Sequence, residues 1–161
     1  MNTKFEAVLK SKMSEESYKK LAALENEKLF DFIGTFAEHC NPKTIYMCDD
    51  SKADEDYVRE MVVTKGEERP LAKDGQTIHY DGYKDQARDR TNTRYIVYKE
   101  NLERMHSLNS LEYEEGHSEI MGIAKNIMDG KDAVVKIFCE GPTFSEFTRP
   151  CVQFTDSWYV L

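Results

Sequence analysis

Across residues 4–39 the apolar positions recur at helical spacing. Phe5, Val8 and Leu9 begin a stripe, Leu21 and Leu24 resume it, and Leu29, Ile33 and Phe36 carry it on, which is the pattern of amphipathic helix. Ser14 stands where an N-cap would divide this region into two or three helices. Asn41-Pro42 ends it, because the residue before a proline is driven out of helical backbone. Thr44-Ile45-Tyr46-Met47-Cys48 is a short β-rich run closed by Asp49-Asp50. Ser51-Lys52-Ala53-Asp54 then reads as a helix start, with the Ser51 and Asp54 oxygens at hand for open backbone N–H groups. That helix is expected to turn Tyr57, Met61 and Val62 inward and to stop near Gly66.

Residues 67–78 are polar and contain Pro70 and Gly75, so they read as loop with a short strand. Arg94-Tyr95-Ile96-Val97-Tyr98 reads as a strand and residues 101–114 as irregular. A helix is expected over 115–129, with Ile120, Ile123 and Ile127 on one face and Gly130 as its stop. Ala133 to Cys139 is the clearest strand, and Cys151 to Thr155 and Tyr159 to Leu161 add strand material, so that the chain is expected to end within a sheet and leave edges uncovered. Strand, acidic turn and helix over 44–66 resemble an α/β crossover. The order of elements predicts an α/β (α+β) class: N-terminal helices followed by a mixed β-sheet with covering helices, all in one domain spanning 1–161.

Composition narrows the function. At 161 residues, 40% hydrophobic and 32% charged, the chain is long enough to bury an ordinary core. A net charge of -8 argues against nucleic acid or an anionic membrane as partner, since both need a positive surface. No apolar run approaches the ~20 residues that span a bilayer, and Met1 to Met13 lacks the apolar centre of a signal peptide. Cys40, Cys48, Cys139 and Cys151 form no C-x-x-C pair. Cys139 and Cys151, set in apolar tracts, are expected as buried free thiols, and the set points to a reducing cytoplasm. His39, His79, His106 and His117 have no paired spacing, so no metal is assigned to the chain. Asp49 and Asp50 are read as turn and cap residues, because no G-x-G-x-x-G accompanies them. No nucleophile with a nearby base stands out, which leaves a small hydrolase without its machinery, and no catalytic residue is assigned.

The candidate chemistry lies in His79-Tyr80-Asp81-Gly82-Tyr83-Lys84-Asp85-Gln86-Ala87-Arg88-Asp89-Arg90-Thr91-Asn92-Thr93-Arg94. Three arginines fall within seven positions beside aspartates and small hydroxyls. A guanidinium offers a planar fork of donors that matches a carboxylate or phosphate, and Asp85 or Asp89 is placed to hold one in position. Read on composition alone, the tract fits a solvated surface with local ion pairs better than a site for a small anion.

A second tract decides between them. An apolar strand (Val134 to Phe138), Gly141-Pro142, a second strand (Val152 to Phe154), then Thr155-Asp156-Ser157-Trp158-Tyr159-Val160 follow in order. Together with Asp85-Gln86-Ala87-Arg88, preceded by His79-Tyr80-Asp81 and followed by Asn92-Thr93, this resembles the N-terminal part of GTP-dependent phosphoenolpyruvate carboxykinase, most closely its archaeal-type branch. Low-grade resemblance extends upstream to about Lys43, while residues 99–130 depart most. The resemblance implies an incomplete N-terminal domain, on the substrate-binding side, of an enzyme that converts oxaloacetate and GTP to phosphoenolpyruvate, carbon dioxide and GDP. It implies that Arg88 contacts the carboxylate end of the substrate, with Arg90 and Thr91 near the pocket. Animal members of the family carry an acidic residue two positions after the substrate arginine that helps hold a closed lid. Arg90 stands there instead, so that role does not carry over.

The Gly-Pro turn and Thr-Asp-Ser segment are read as mainly architectural, with Asp156 and Ser157 expected to bond free backbone groups at a strand end. GTP and a divalent metal, Mn2+ or Mg2+, are implied for the whole enzyme. The Gly-rich phosphate loop, the metal-binding Lys, His and Asp and the nucleotide pocket of the family have no counterpart here. The chain alone is therefore expected to be inactive, with the remainder of the parent polypeptide as its partner. The alternative is a non-catalytic binding or interaction module of the same fold.

Overall fold

The computed structural model describes residues 3–82 and 93–161. Two compact units emerge, residues 1–79 with 126–161 and residues 80–125. The first unit opens with a 3-10 turn, Thr3–Phe5, and helix α1, Glu6–Lys12. Helix α2, Glu15–Ala23, starts on Ser14, whose side-chain oxygen accepts the Ser17 amide at 3.1 Å. Helix α3, Glu27–Cys40, starts on Asn26, which accepts from Leu29 in the same way. It ends on Asn41 in left-handed backbone, φ 53°, a conformation that asparagine tolerates better than most residues. Strand β1 covers Thr44–Met47, and helix α4, Lys52–Thr64, is capped by Ser51, whose Oγ accepts from the Asp54 amide. These three side-chain caps of the first unit thus come from Ser or Asn, and two of them are at serines that the sequence reading singled out. Beyond α4 the short strands β2, Arg69–Pro70, and β3, Thr77–Ile78, pair antiparallel, with Arg69 opposite Ile78.

In the second unit, strand β4, Tyr95–Val97, runs parallel to β5, Ser110–Glu112, with a 3-10 segment, Lys99–Met105, between them. Helix α5, Tyr113–Ala124, follows without a break. The expected irregular stretch therefore holds a strand, and the helix starts two residues early. Glu112 is the reason: its carboxylate accepts the amides of Glu114 and Glu115 and caps the helix. The face of α5 turned to its sheet is marked by buried Gly116, where an added Cβ would lie 3.0 Å from Ile96. Ile120, Ile123 and Ile127, expected on one face of this helix, are each about half exposed or more, and Ile127 lies beyond the helix end. The helix also stops short of Gly130. The Asn126 amide bonds the His39 carbonyl and the Met128 amide that of Cys40, so residues 126–128 are captured by the end of α3.

Strand β6, Asp132–Glu140, returns to the first unit and is paired on both sides. It runs parallel to β1 and antiparallel to β7, Arg149–Thr155, giving a mixed sheet of order β1-β6-β7. The α+β class read from the sequence holds. Ala133, Val134 and Val135 are fully buried together with Leu9, Ile33 and Ala37, which places α1, α3 and the sheet around one core. The Tyr159–Leu161 segment, expected as a strand, is a turn after β7. Its Trp158, only 2% exposed, packs with Cys48, Val62 and Val134, and the burial of this ring draws the chain away from the sheet direction. Cys139 is exposed and Cys151 half-buried, while Cys40 and Cys48 are the buried pair. In the ladder Cys139 lies opposite Pro150, and Cys151 opposite Phe138. Adjacent residues alternate faces, so the two thiols point to opposite sides of the sheet.

One polar cluster is built into this apolar frame. Asp54 is 3% exposed. Its carboxylate accepts Lys20 Nζ, the Tyr46 hydroxyl and the Asp49 amide, each at 2.7 Å. Burial opposes the charge on Lys20, but the bonds to Asp54 and Asp49 outweigh it and raise the ammonium pKa. Burial, reinforced by the Asp54 bond, raises that of the Tyr46 phenol. The cluster ties α2, β1 and the N-terminal turn of α4 together through one carboxylate. Close packing is as tight at Gly34 on α3, where a Cβ would stand 2.3 Å from the Phe5 ring.

Three stability measurements follow from these contacts. Gly34→Ala should cost about 1–3 kcal/mol by overpacking, read as a lower urea midpoint. Asp54→Ala should cost about 1–3 kcal/mol, because it removes the acceptor of the Tyr46 phenol and the Asp49 amide and leaves Lys20 to Asp49. Lys20→Met, which leaves the carboxylate two other donors, should cost clearly less, and the reverse order would refute the assigned hierarchy. Acid should also weaken the fold. Bonds from Ser51 and Lys20 hold the Asp49 carboxyl below its usual range, and bonds from Lys65 and Thr44 do the same for Asp132. A carboxyl whose folded pKa is depressed stabilises above the unfolded value and loses that contribution as pH falls through the folded one. Unfolding free energy should therefore drop below about pH 4, and the double variant Asp49→Asn/Asp132→Asn should flatten that acid slope. An unchanged slope would contradict the assignment.

Candidate functional site

The hairpin of β2 and β3 determines where the arginine tract begins. Helix α4 gives way through Gly66, φ 75°, and the Glu67 and Glu68 amides both close onto the Val62 carbonyl. The chain then turns through Leu71 to Gln76, whose backbone bond is 2.9 Å, and comes back along β3. Arg69 faces Ile78 across the ladder, so Glu68 and His79 stand just outside it and Glu67 lies one residue further on. His79 Nδ1 lies 2.7 Å from the Glu67 carbonyl oxygen. A carbonyl oxygen only accepts, so Nδ1 carries the proton in this contact.

The C-terminal tract closes on the same place. Glu67 Oε2 accepts the Ser157 hydroxyl and the Tyr159 amide, both at 2.8 Å. The Tyr159 ring is stacked on the His79 imidazole with centroids 3.6 Å apart and planes 7° from parallel. His79 from the first tract and Ser157 and Tyr159 from the second are thus joined through Glu67. The sequence reading singled out both tracts but not Glu67, whose one visible signal is its position directly after a helix-ending glycine. Asp156, expected to bond backbone groups, instead forms an ion pair with Lys131. The Ser157 amide bonds the Thr155 hydroxyl at 3.1 Å, as an end-of-strand turn requires. Gly141, φ 97°, and Pro142 make the expected turn, closed by the Thr148 hydroxyl donating to the Pro142 carbonyl.

Arg88, Arg90 and Thr91 lie outside the described residues. On the far side of the tract, within the second unit, the Thr93 carbonyl accepts from the Asn109 side chain at 3.1 Å. The Tyr95 amide bonds the Asn109 backbone at 2.8 Å, and Arg94 pairs with Glu119 at 2.6 Å. Tyr80, at the near end, is 71% exposed.

The first unit also carries an open groove of about 940 Å³ beyond the C-terminal end of β1, lined by Lys20, Cys48, Asp49, Asp54, Lys136 and Trp158 among others. Two of its cations are engaged: Lys20 with Asp49 and Asp54, and Lys136 with the Leu161 main-chain oxygen at 2.7 Å. Burial pushes the Cys48 thiol up to about 11, which keeps it protonated and unreactive near neutral pH. Among the described residues no group of three or more His, Cys, Asp or Glu side chains is gathered so as to hold a metal ion, and no helix is long and apolar enough to cross a membrane. The chemistry that this geometry offers is positional. Within the first unit His79 is held against the C-terminal tract, and within the second Thr93 and Arg94 are held by Asn109 and Glu119.

Comparison with known proteins shows the family. The phosphoenolpyruvate carboxykinase N-terminal domain family matches residues 31–161. The chain is 43% identical over 155 residues, 96% of its length, to phosphoenolpyruvate carboxykinase (GTP) of Thermococcus sibiricus. It is 43% identical over 152 residues, 94% of its length, to the protein of that name from Pyrococcus abyssi. The corresponding Sulfurisphaera tokodaii protein is 34% identical over 149 residues, 92% of the chain. The alignments cover 25%, 24% and 24% of these relatives, so the chain spans about a quarter of their length. A match that takes in both signature tracts and the Glu67 junction between them establishes that this chain belongs to the phosphoenolpyruvate carboxykinase N-terminal domain family.

Proposed function

We propose that the chain is the N-terminal quarter of an archaeal-type, GTP-dependent phosphoenolpyruvate carboxykinase and supplies part of its organic-acid site. In the parent reaction the bond from oxaloacetate to its departing carboxylate breaks and releases carbon dioxide. The enolate oxygen left behind attacks the γ-phosphorus of GTP, giving phosphoenolpyruvate and GDP. The observation that carries this reading is 43% identity across 96% of the chain with a protein of that name, over a stretch that includes Asp85-Gln86-Ala87-Arg88.

In this reading Arg88 grips the substrate carboxylate through two parallel N–H···O bonds. Arg90 and Thr91 lie beside it and add positive charge and a hydroxyl donor. The fork does no bond-breaking. It holds the acid so that the carboxylate to be lost and the enolate oxygen are presented to the rest of the site. The nucleotide pocket and a divalent metal, manganese or magnesium, belong to polypeptide other than this chain. The described residues do not fit a metal, and no step is routed through one here. The 161-residue chain is assigned no catalytic residue of its own. A cytoplasmic location and a place in gluconeogenesis go with this reading.

The test is kinetic. In the full-length enzyme Arg88→Ala should raise KM for oxaloacetate about ten- to hundred-fold, as loss of a charge-assisted bond worth about 1.5–3 kcal/mol requires. KM for GTP should stay unchanged, and Arg88→Lys should recover only part of the loss. The 161-residue chain alone should show no turnover in a coupled carboxylation assay. An unaltered response to oxaloacetate in Arg88→Ala, or robust turnover by the isolated chain, would overturn the reading.

A further inference from the structure

We propose that the open groove of the first unit is the seat of the polypeptide that continues beyond Leu161, an apolar segment carrying at least one lysine or arginine. The inference rests on the reading above, that the chain is the N-terminal quarter of a longer enzyme, and it gives the next stretch of that enzyme a place. Every residue that lines the groove belongs to the first unit.

The groove exists because two paired strands differ in length. The register between β1 and β6 stops at Met47 and Val135. The Cys48 amide still bonds the Val135 carbonyl at 2.9 Å, and the chain then turns off through Asp49 into α4. Strand β6 runs on to Glu140 with β7 along its other side. Backbone groups alternate sides along a strand, so those of Ile137 and Cys139 point the same way as the Val135 carbonyl, toward the side that β1 has left. The groove of about 940 Å³ opens there, lined from α4 by Val58 and Arg59 and from β6 by Ile137. Ile137 is 39% exposed, while Met47, Cys48 and Trp158 beneath are buried. A strand edge beside apolar side chains is a surface that proteins cover.

The way Leu161 is held says what covers it. Its side chain packs against the cluster of Cys48, Val62, Val134 and Trp158. Its amide bonds the Trp158 carbonyl at 3.3 Å, and its main-chain oxygen accepts Lys136 Nζ at 2.7 Å. Leu161 itself lines the groove. Side chain, amide and oxygen are all fixed, so a residue joined to Leu161 starts at the groove. A segment tethered that closely has an effective concentration that a free partner does not reach. The chain spans about a quarter of the length of its relatives, which leaves ample polypeptide for the purpose. Acidic side chains outnumber basic ones among the lining residues, and Lys20 and Lys136 are already engaged. That balance favours a cation on the segment.

The experiment places the photo-crosslinking residue p-benzoylphenylalanine in the full-length enzyme at Ile137 and, separately, at Arg59, with Lys10 on α1 as a site outside the groove. After irradiation and proteolysis, Ile137 and Arg59 should both capture peptides within about twenty residues of Leu161, a length that spans roughly 30 Å as a helix. Lys10 should not capture them. In a second measurement, read by peptide mass spectrometry, Ile137→Cys should be alkylated by a maleimide about ten-fold or more slowly than Lys10→Cys, because a covered thiol is inert.

Crosslinks to any other part of the polypeptide or to a second copy, no crosslink from either groove site, or alkylation of Ile137→Cys as fast as that of Lys10→Cys would overturn the inference. Should the Ile137 variants fail to fold, Arg59, whose side chain is 68% exposed and therefore replaceable, decides the question. Crosslinks elsewhere in an enzyme that turns over oxaloacetate would overturn the groove assignment alone. Absence of turnover in the unmodified full-length protein would overturn the functional reading, and the crosslinks would then decide the groove by themselves.

Discussion

Strand β6 has a hydrogen-bonded neighbour on each side, and the rest of the first unit depends on that double pairing. Ala133, Val134 and Val135 are removed from water completely, so their backbone polar groups need partners, and β1 and β7 supply them. The parallel pairing with β1 requires a long crossover, which α4, the β2–β3 hairpin and the whole of the second unit fill. The antiparallel pairing with β7 needs only the turn through Gly141 and Pro142. One strand thus anchors both signature tracts: the arginine tract lies within the long crossover, and the C-terminal tract follows β7.

Asp54 and Glu67 divide the polar work around that sheet. Asp54 lies at the start of α4, buried and saturated by an ammonium, a phenol and an amide, and holds α2, β1 and α4 in place. Glu67 lies just past the end of the same helix, less buried, and joins the two tracts. The helix between them is a spacer of defined length, so a carboxylate that fixes its start also fixes where Glu67 meets His79 and Tyr159. Asp54 thus sits at one end of α4 and Glu67 at the other, each bonded to residues of other elements.

Much of this was legible in the amino-acid pattern because it depends on local chemistry. Ser14 and Ser51 cap helices for the reason their side chains suggest, and Asn41-Pro42 ends α3 as sterics demand. The β6 run is apolar enough to be a strand in any context. What was not legible depends on distant partners. Glu112 is an uncommon N-cap, so the start of α5 was placed late. The Ile120, Ile123 and Ile127 stripe looks like a buried face until Gly116 shows which side meets the β4–β5 pair. Tyr159 to Leu161 has strand composition, but Trp158 is worth more in the core than another ladder residue at the edge. Beyond its place after a helix-ending glycine, Glu67 carries no sequence mark of its junction, since both partners of its carboxylate come from residues ninety or more positions away. Of the candidate site, the two tracts were readable from their order along the chain, while the contact between them belongs to the tertiary structure alone.

A crystal structure of the full-length enzyme with a bound dicarboxylate, such as oxalate or malonate, would show directly where the Arg88 guanidinium points. The expected result is two of its nitrogens within about 2.7–3.0 Å of one carboxylate. A dicarboxylate held by other residues, with Arg88 directed into solvent, would contradict the role assigned to this part of the molecule.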